Sequence, residues 1–275
     1  MAFRFLTAGD IHLGRRPARV PRDQDSPQFA PRHAWDALVA SAIAQQVDAV
    51  ALTGDVVDQE NRFYEAFSDL HRGVRRLVDA GIAVVAVAGN HDCDVLPRLA
   101  AQIDGFRLLG RDGRWEAVEL NGRDGTRVRF VGWSFPRRHV TDNPLAAFEP
   151  PAGDGPVVGL LHCDCPSQTG PYAPVTLEDF RRSRVDLWAL GHIHNGRVLG
   201  DDRPIVFYPG SLQGLDPTED GPHGAWAVTL EAGRPPAMER HPLAALQWAH
   251  LAVPLEGAAT IEQAVTEAVR ALNRQ

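Results

Sequence analysis

Ile82-Ala83-Val84-Val85-Ala86-Val87-Ala88, followed at once by Gly89-Asn90-His91-Asp92, decides how this chain reads. An unbroken apolar run of that length, rich in β-branched residues, has no polar face. That is the pattern of a strand covered on both sides, as in a parallel sheet. The abrupt change to Gly, Asn, His and Asp marks its carboxyl end. The same arrangement occurs twice upstream. Phe3 to Ala8 ends at Gly9-Asp10-Ile11-His12, and Asp48 to Thr53 ends at Gly54-Asp55-Val56-Val57-Asp58. Helical spacing fills the intervals, with Trp35, Leu38, Val39, Ala42 and Ile43 on one face of 35–46. Phe63, Phe67, Leu70, Val74, Leu77 and Val78 do the same within 63–80, before Gly81 stops the helix. Strand, helix, strand in alternation predicts βαβ units and a parallel sheet.

Further along, the style changes. Trp115 to Leu120 and Arg127 to Trp133 flank a Gly- and Asp-containing turn, a hairpin signature. Val157 to Leu161 is an apolar strand ending at His162, and Asp186 to Leu190 is another ending at Gly191-His192-Ile193-His194. A short helix is expected at 177–182, and strands at 205–208 and 224–230. The residues therefore predict an α/β protein of two sheets with flanking helices. After a Pro-rich stretch (Pro235, Pro236, Pro242), Thr260 and Gln263 form a capping-box pattern ahead of an amphipathic helix. Its stripe is Ile261, Val265, Ala268, Val269 and Leu272. We expect a catalytic domain over 1–245 and a strand–helix appendage over 246–275, which would be the start of a capping domain or a small addition. The stripe is expected to pack on the parent core; a partner or a dimer is the alternative.

The chain has 275 residues, 44% of them hydrophobic, enough for one large core. No apolar run reaches a membrane span, and Met1 to Asp10 enters a strand without a secretion-signal pattern. Three cysteines, Cys93, Cys163 and Cys165, suggest no disulfide framework, so a cytoplasmic location is expected. Net charge is −7, unlike a protein that grips nucleic acid mainly through a basic surface. All 28 basic residues are Arg. Arg15, Arg16, Arg19 and Arg22 form the densest basic cluster, which offers phosphate contacts or a solvated loop face.

The polar clusters at the strand ends mix oxygen ligands with imidazoles, which suits divalent metals. A carboxylate can bridge two cations, and Asp55 is the choice for that role. Asp10 and His12 are expected to share a side by strand alternation. The same holds for His192 and His194 unless a turn parts them. A water between two close metals becomes a hydroxide near neutral pH, the usual nucleophile for phosphorus. His91, between Asn90 and Asp92, is placed to act as general acid. Asp58 reads as a supporting or capping residue, and Cys163 and Cys165 as bystanders. Any one motif alone reads equally well as a cap or a turn; their recurrence at successive strand ends does not.

As they stand, D-x-H, G-D-x-x-D, G-N-H-D, H and G-H-x-H resemble the calcineurin-like metallophosphoesterase superfamily over roughly 3–230. The resemblance implies a two-sheet α/β/β/α metallophosphoesterase sandwich with a dinuclear site. Asp10, His12, Asp55 and His194 would hold one metal; Asp55, Asn90, His162 and His192 would hold the other. His91 would be the catalytic acid. Gln59 and Asp92 depart from the G-D-x-x-D-R-G and G-N-H-E patterns of protein serine/threonine phosphatases. Asp10 to Gly14, Pro171 to Pro174, Leu177 to Phe180 and Tyr208-Pro209-Gly210-Ser211 are instead similar to the SbcD/YhaO-like DNA repair exonucleases. That likeness implies manganese (Fe or Zn would suit the same ligands), DNA as substrate and an SbcC-type coiled-coil ATPase as partner; the amphipathic tail helix raises a homodimer. The alternatives are a small phosphodiester such as a cyclic nucleotide, or a non-catalytic scaffold that binds DNA or an ATPase.

Overall fold

The computed structural model describes residues 2–21, 27–58, 63–200, 203–255 and 257–274, with only the backbone of 63–65. Arg22 and Gln59 lie outside the described residues, as does the side chain of Phe63. The first half alternates strand and helix: β1 (Ala2–Ala8), α1 (Pro31–Ala44), β2 (Ala49–Leu52), α2 (Phe63–Asp79), β3 (Ala83–Ala86), α3 (Leu96–Ala100) and β4 (Phe106–Leu108). The hairpin β5 (Glu116–Asn121) and β6 (Arg127–Trp133) opens the second half. Then come β7 (Val157–His162), α4 (Leu177–Arg182), β8 (Leu187–Gly191), β9 (Arg197–Gly200), β10 (Ile205–Tyr208), β11 (Gly224–Glu231), β12 (Ala237–Pro242) and α5 (Ile261–Leu272).

These strands form two mixed sheets, in the orders β12-β11-β1-β2-β3-β4 and β5-β6-β7-β8-β10-β9. In the first, β1 to β4 run parallel, β11 pairs antiparallel to β1, and β12 pairs antiparallel to β11. In the second, β6, β7, β8 and β10 run parallel and β5 and β9 close the edges antiparallel. Strand alternation sorts the side chains into layers. Phe3 and Phe5 of β1 point between the sheets, where Phe5 meets Phe130 edge-on at 5.3 Å. Leu6 and Ala8 of the same strand point outward, onto α1 to α3. Across the other sheet, Trp188 and Leu190 pack outward with Phe180 of α4. The α/β/β/α sandwich expected from the sequence is the fold observed.

The periodicity missed four elements. β4, β9 and α3 are too short to show a period. The Pro-rich stretch is an edge strand, β12: Pro235 and Pro236 precede it and Pro242 ends it, positions that need no ladder N–H. Contacts between the tail and the sandwich include Leu246, whose carbonyl accepts from Gln213 at 2.9 Å, and Trp248, whose carbonyl accepts the Gly221 N–H at 3.0 Å. Beyond it, α5 departs from expectation. Its stripe does not pack on the core: Ile261 is 80% and Leu272 65% exposed. No sheet pairing among the described residues after Trp248 returns the chain to the sandwich. The capping box is half formed. Thr260 Oγ1 accepts the Gln263 N–H at 3.3 Å, but Gln263 Oε1 reaches the Ala259 N–H instead. No helix among the described residues is long and apolar enough to cross a membrane.

Candidate metal centre

The carboxyl ends of β1, β2, β3, β7 and β8 meet at one edge of the two sheets. Beyond β1 the chain runs beside the segment after β2, with Asp10 N–H on Gly54 O (3.1 Å), His12 N–H on Asp55 O (2.9 Å) and Leu13 N–H on Val56 O (3.0 Å). Asp10, His12 and Asp55 each have φ of 49°, and His192 has 103°. Left-handed backbone at non-glycine residues costs about 1–3 kcal/mol apiece and persists only where surroundings enforce it. This corrects the expected geometry: Asp10 and His12 share a side through these turns, not through strand alternation. Two glycines permit the close approach. A Cβ on Gly191 would lie 2.0 Å from Thr53 O, and one on Gly89 would lie 2.3 Å from Asp55 Oδ1.

The sequence-predicted residues gather into adjoining sets. Ligand atoms of Asp10, His12 and His194 lie within 4.8 Å of one another, as do those of Asp10, Asp55 and His162. His162 Nε2 is 2.9 Å from Asn90 Oδ1 and 3.4 Å from Asp55 Oδ2. His192 and His194 diverge. The His192 ring faces His162 at 5.3 Å, and His194 Nε2 is 3.3 Å from His12 Nε2. The His192 N–H binds the Asp10 carboxylate at 3.0 Å. His91 is half-buried, its N–H on Asp55 Oδ1 (2.8 Å) and its ring 5.2 Å from His12. Asp58 joins this corner: its Oδ2 is 3.1 Å from Arg15 Nε and 3.7 Å from His12 Nδ1. Arg15 thus serves Asp58, whereas Arg16 and Arg19 are exposed. No cysteine belongs to the converging sets among the described residues; burial pushes the Cys165 thiol up to about 12.

Hydrogen bonding decides which ring nitrogens face inward. His162 Nδ1 has a carbonyl, Thr53 O at 3.1 Å, as its partner and must carry the proton. Its Nε2 lone pair then faces the oxygens of Asn90 and Asp55. His194 Nδ1 donates to Glu219 Oε1 at 2.8 Å, turning its Nε2 toward His12 and Asp10. Buried lone pairs and carboxylates that point at one another repel, and a cation between them removes the repulsion. The residues present therefore fit divalent ions.

Electrostatics agrees. Burial pushes Asp10 up to about 7, with Asp55 adding to it and His194 opposing. Burial also raises Asp55. Burial lowers His162 to about 3 and His192 to about 4, keeping both neutral. For His194 burial works against the cation, but the Glu219 hydrogen bond and Asp10 outweigh it and lift the group to about 9. Metal loading must therefore displace protons from Asp10 and His194. Affinity for Mn²⁺ is expected to rise with pH from about 6 to 8, by up to about tenfold per unit for each proton displaced. Titration calorimetry in buffers of different ionisation heat reads the released protons; an affinity flat across that range would contradict the assignment.

Two residues that sequence reasoning underrated organise the site. Asp92 is buried and accepts N–H groups from Gly89 (2.7 Å), Val56 (2.7 Å) and Val57 (3.4 Å). It staples the β2 and β3 loops together and holds Asp55 and Asn90 in register. Asp92→Ala leaves these donors buried and unpaired, at about 1–3 kcal/mol each. A fall of several degrees in the ion-free melting temperature is expected, measurable by calorimetry; no change would show that the loops hold themselves. Glu219 carried no signal, because it lies eight positions past Ser211 in a loop without periodicity. Tyr172, quoted above only for likeness, places its ring 4.7 Å from His192.

Residues 3–196 match the family model described as calcineurin-like phosphoesterase. YhaO of Bacillus subtilis, described as an uncharacterized metallophosphoesterase, is 30% identical over 257 residues, covering 83% of this chain and 58% of that protein. The DNA double-strand break repair protein Mre11 of Aeropyrum pernix is 28% identical over 248 residues, covering 86% and 59%. The chain thus spans less than two thirds of the length of these curated relatives. Among solved structures, calcineurin-like phosphoesterase YfkN from Bacillus subtilis aligns with a TM-score of 0.53 at 12% identity, covering 99% of this chain and 97% of that one. TT1561 of Thermus thermophilus gives 0.52 at 15%, covering 87% and 99%. At such identities the likeness is one of fold.

Proposed function

Because the chain belongs to the calcineurin-like phosphoesterase family, we propose that it is a metal-dependent phosphodiesterase that degrades DNA from its ends. The observation that carries the chemistry is the convergence of imidazole nitrogens and carboxylates at one buried strand edge. Asp10, His12 and His194 would hold one ion, Asn90, His162 and His192 the other, and Asp55 would bridge them. Bound ions, manganese by our choice, supply positive charge that polarises the phosphoryl group and eases deprotonation of the attacking water.

The protein's own groups do the rest. Asp92 and the left-handed turns fix the carboxylates before substrate arrives, so no reorganisation is needed during reaction. His91, anchored through its N–H to Asp55 and half-exposed at the rim, gives its proton to the leaving 3′-oxygen. Arg16 and Arg19, exposed beyond His12, would meet the phosphodiester backbone, with Arg15 braced on Asp58 beside them. DNA as substrate is supported by the relative named for double-strand break repair and by the SbcD-like segments. An acidic net charge of −7 favours the second reading, a small phosphodiester such as a cyclic nucleotide.

An end-labelled DNA duplex with manganese separates the two. Stepwise loss of label by the wild type, abolished in His91→Ala, is expected. Intact DNA together with brisk hydrolysis of bis(p-nitrophenyl) phosphate or a cyclic nucleotide would move the substrate to the small phosphodiester.

A further inference from the structure

Glu219 belongs to none of the motifs, yet both oxygens of its buried carboxylate are occupied. Oε1 accepts the His194 Nδ1–H at 2.8 Å. Oε2 accepts the Ser211 hydroxyl at 2.9 Å and the Leu215 N–H at 3.0 Å. Behind it stands His223, with Nδ1 2.9 Å from Ser211 Oγ and Nε2 3.0 Å from the Glu219 carbonyl. A carboxylate held by three donors cannot swing, so it dictates which His194 nitrogen is protonated and where the other points.

The loop that carries Glu219, residues 211–224, is itself fastened by the chain after β12. The Leu243 N–H binds His223 O at 3.0 Å. Gln213, 1% exposed, donates through Nε2 to Leu246 O at 2.9 Å and accepts the Ala245 N–H at 3.1 Å. The Trp248 indole N–H reaches Gly214 O at 3.3 Å, and the Gly221 N–H returns to Trp248 O at 3.0 Å. Residues of the tail thus form the back wall of a loop whose front wall is His194.

We propose that Glu219 is a positioning residue that fixes the tautomer and aim of His194 toward a bound metal ion, and that the Leu243–Trp248 segment holds Glu219 in place. This rests on the reading of His194 as a metal ligand, and it makes the tail segment a part of the metal centre. An outer carboxylate of this kind is worth about 10–100-fold in metal affinity.

The test is a manganese-binding isotherm of the full chain, followed by the electron paramagnetic resonance signal of free Mn²⁺. In Glu219→Ala one of two sites is expected to weaken by about 10–100-fold while the other holds its affinity. Glu219→Gln, which keeps an acceptor oxygen but can also present its amide, should fall between. Gln213→Ala, which leaves Glu219 itself intact, should weaken the same site less. Wild-type isotherms in the Glu219 variants, or equal weakening of both sites in a folded protein, overturn the proposal. A wild-type isotherm for Gln213→Ala overturns the part assigned to the tail. Should Glu219→Ala fail to fold, Glu219→Gln decides by the same criteria. Binding is read without turnover, so the two readings fail separately. Selective site loss with DNA left uncut sinks only the nuclease, and DNA cleavage with unaltered isotherms sinks only this role for Glu219.

Discussion

Asp55→Asn is expected to leave a folded protein that turns over bis(p-nitrophenyl) phosphate about 10³-fold more slowly with manganese, a loss of ~4 kcal/mol in transition-state stabilisation. The side chain converges with Asp10 and His162, their ligand atoms within 4.8 Å of one another. Its Oδ1 also receives the His91 N–H at 2.8 Å, a bond that an amide oxygen can keep. Stability should move the other way. Burial raises the Asp55 pKa, so the ion-free fold carries the cost of a desolvated carboxylate as pH rises above the value of an unfolded Asp. The amide removes that cost, and the ion-free variant is expected to melt no lower than the ion-free wild type. Manganese should then raise the melting temperature of the wild type and leave the variant where it was, since only a binding-competent fold gains from added ligand. Thermal unfolding with a chelator and with manganese reads both effects. A variant that keeps its manganese-dependent rise and its turnover would remove Asp55 from the ligand set.

His91→Ala should show a loss that depends on the leaving group. On DNA the departing alkoxide needs a proton, and removal of a general acid costs about 10²–10⁴-fold. On bis(p-nitrophenyl) phosphate the departing phenolate is stable without one, so a drop within about tenfold is expected. Manganese binding should not change. His91 lies half-exposed beside His12. Equal losses on both substrates would mean that the residue acts on binding or on the ions and not as the acid. Loss of manganese in the variant would make His91 a ligand.

Much of this is legible in the amino-acid sequence. Apolar runs such as Ile82 to Ala88 can lie only where both faces are covered, so the parallel strands followed from local sequence. The gathering of the candidate residues followed from residue type, because Asp, Asn and His placed just past such runs sit at a sheet edge. Glu219 was not legible. Its importance depends on a loop folding back to bring it within 2.8 Å of His194, 25 positions away, and no period or local propensity encodes that. Asp92 was visible as a flank or a cap but its reach was not, because its donors come from two separate loops.

The sequence by itself determined the sandwich and the candidates for the site, since burial of a strand and the chemistry of a side chain are local properties. Only the tertiary structure decided how those candidates are aimed. The left-handed turns at Asp10, His12 and Asp55, the parting of His192 from His194, and the exposure of the α5 stripe each depend on which distant segments come to rest against one another. That is a matter of packing between elements, which local sequence leaves open.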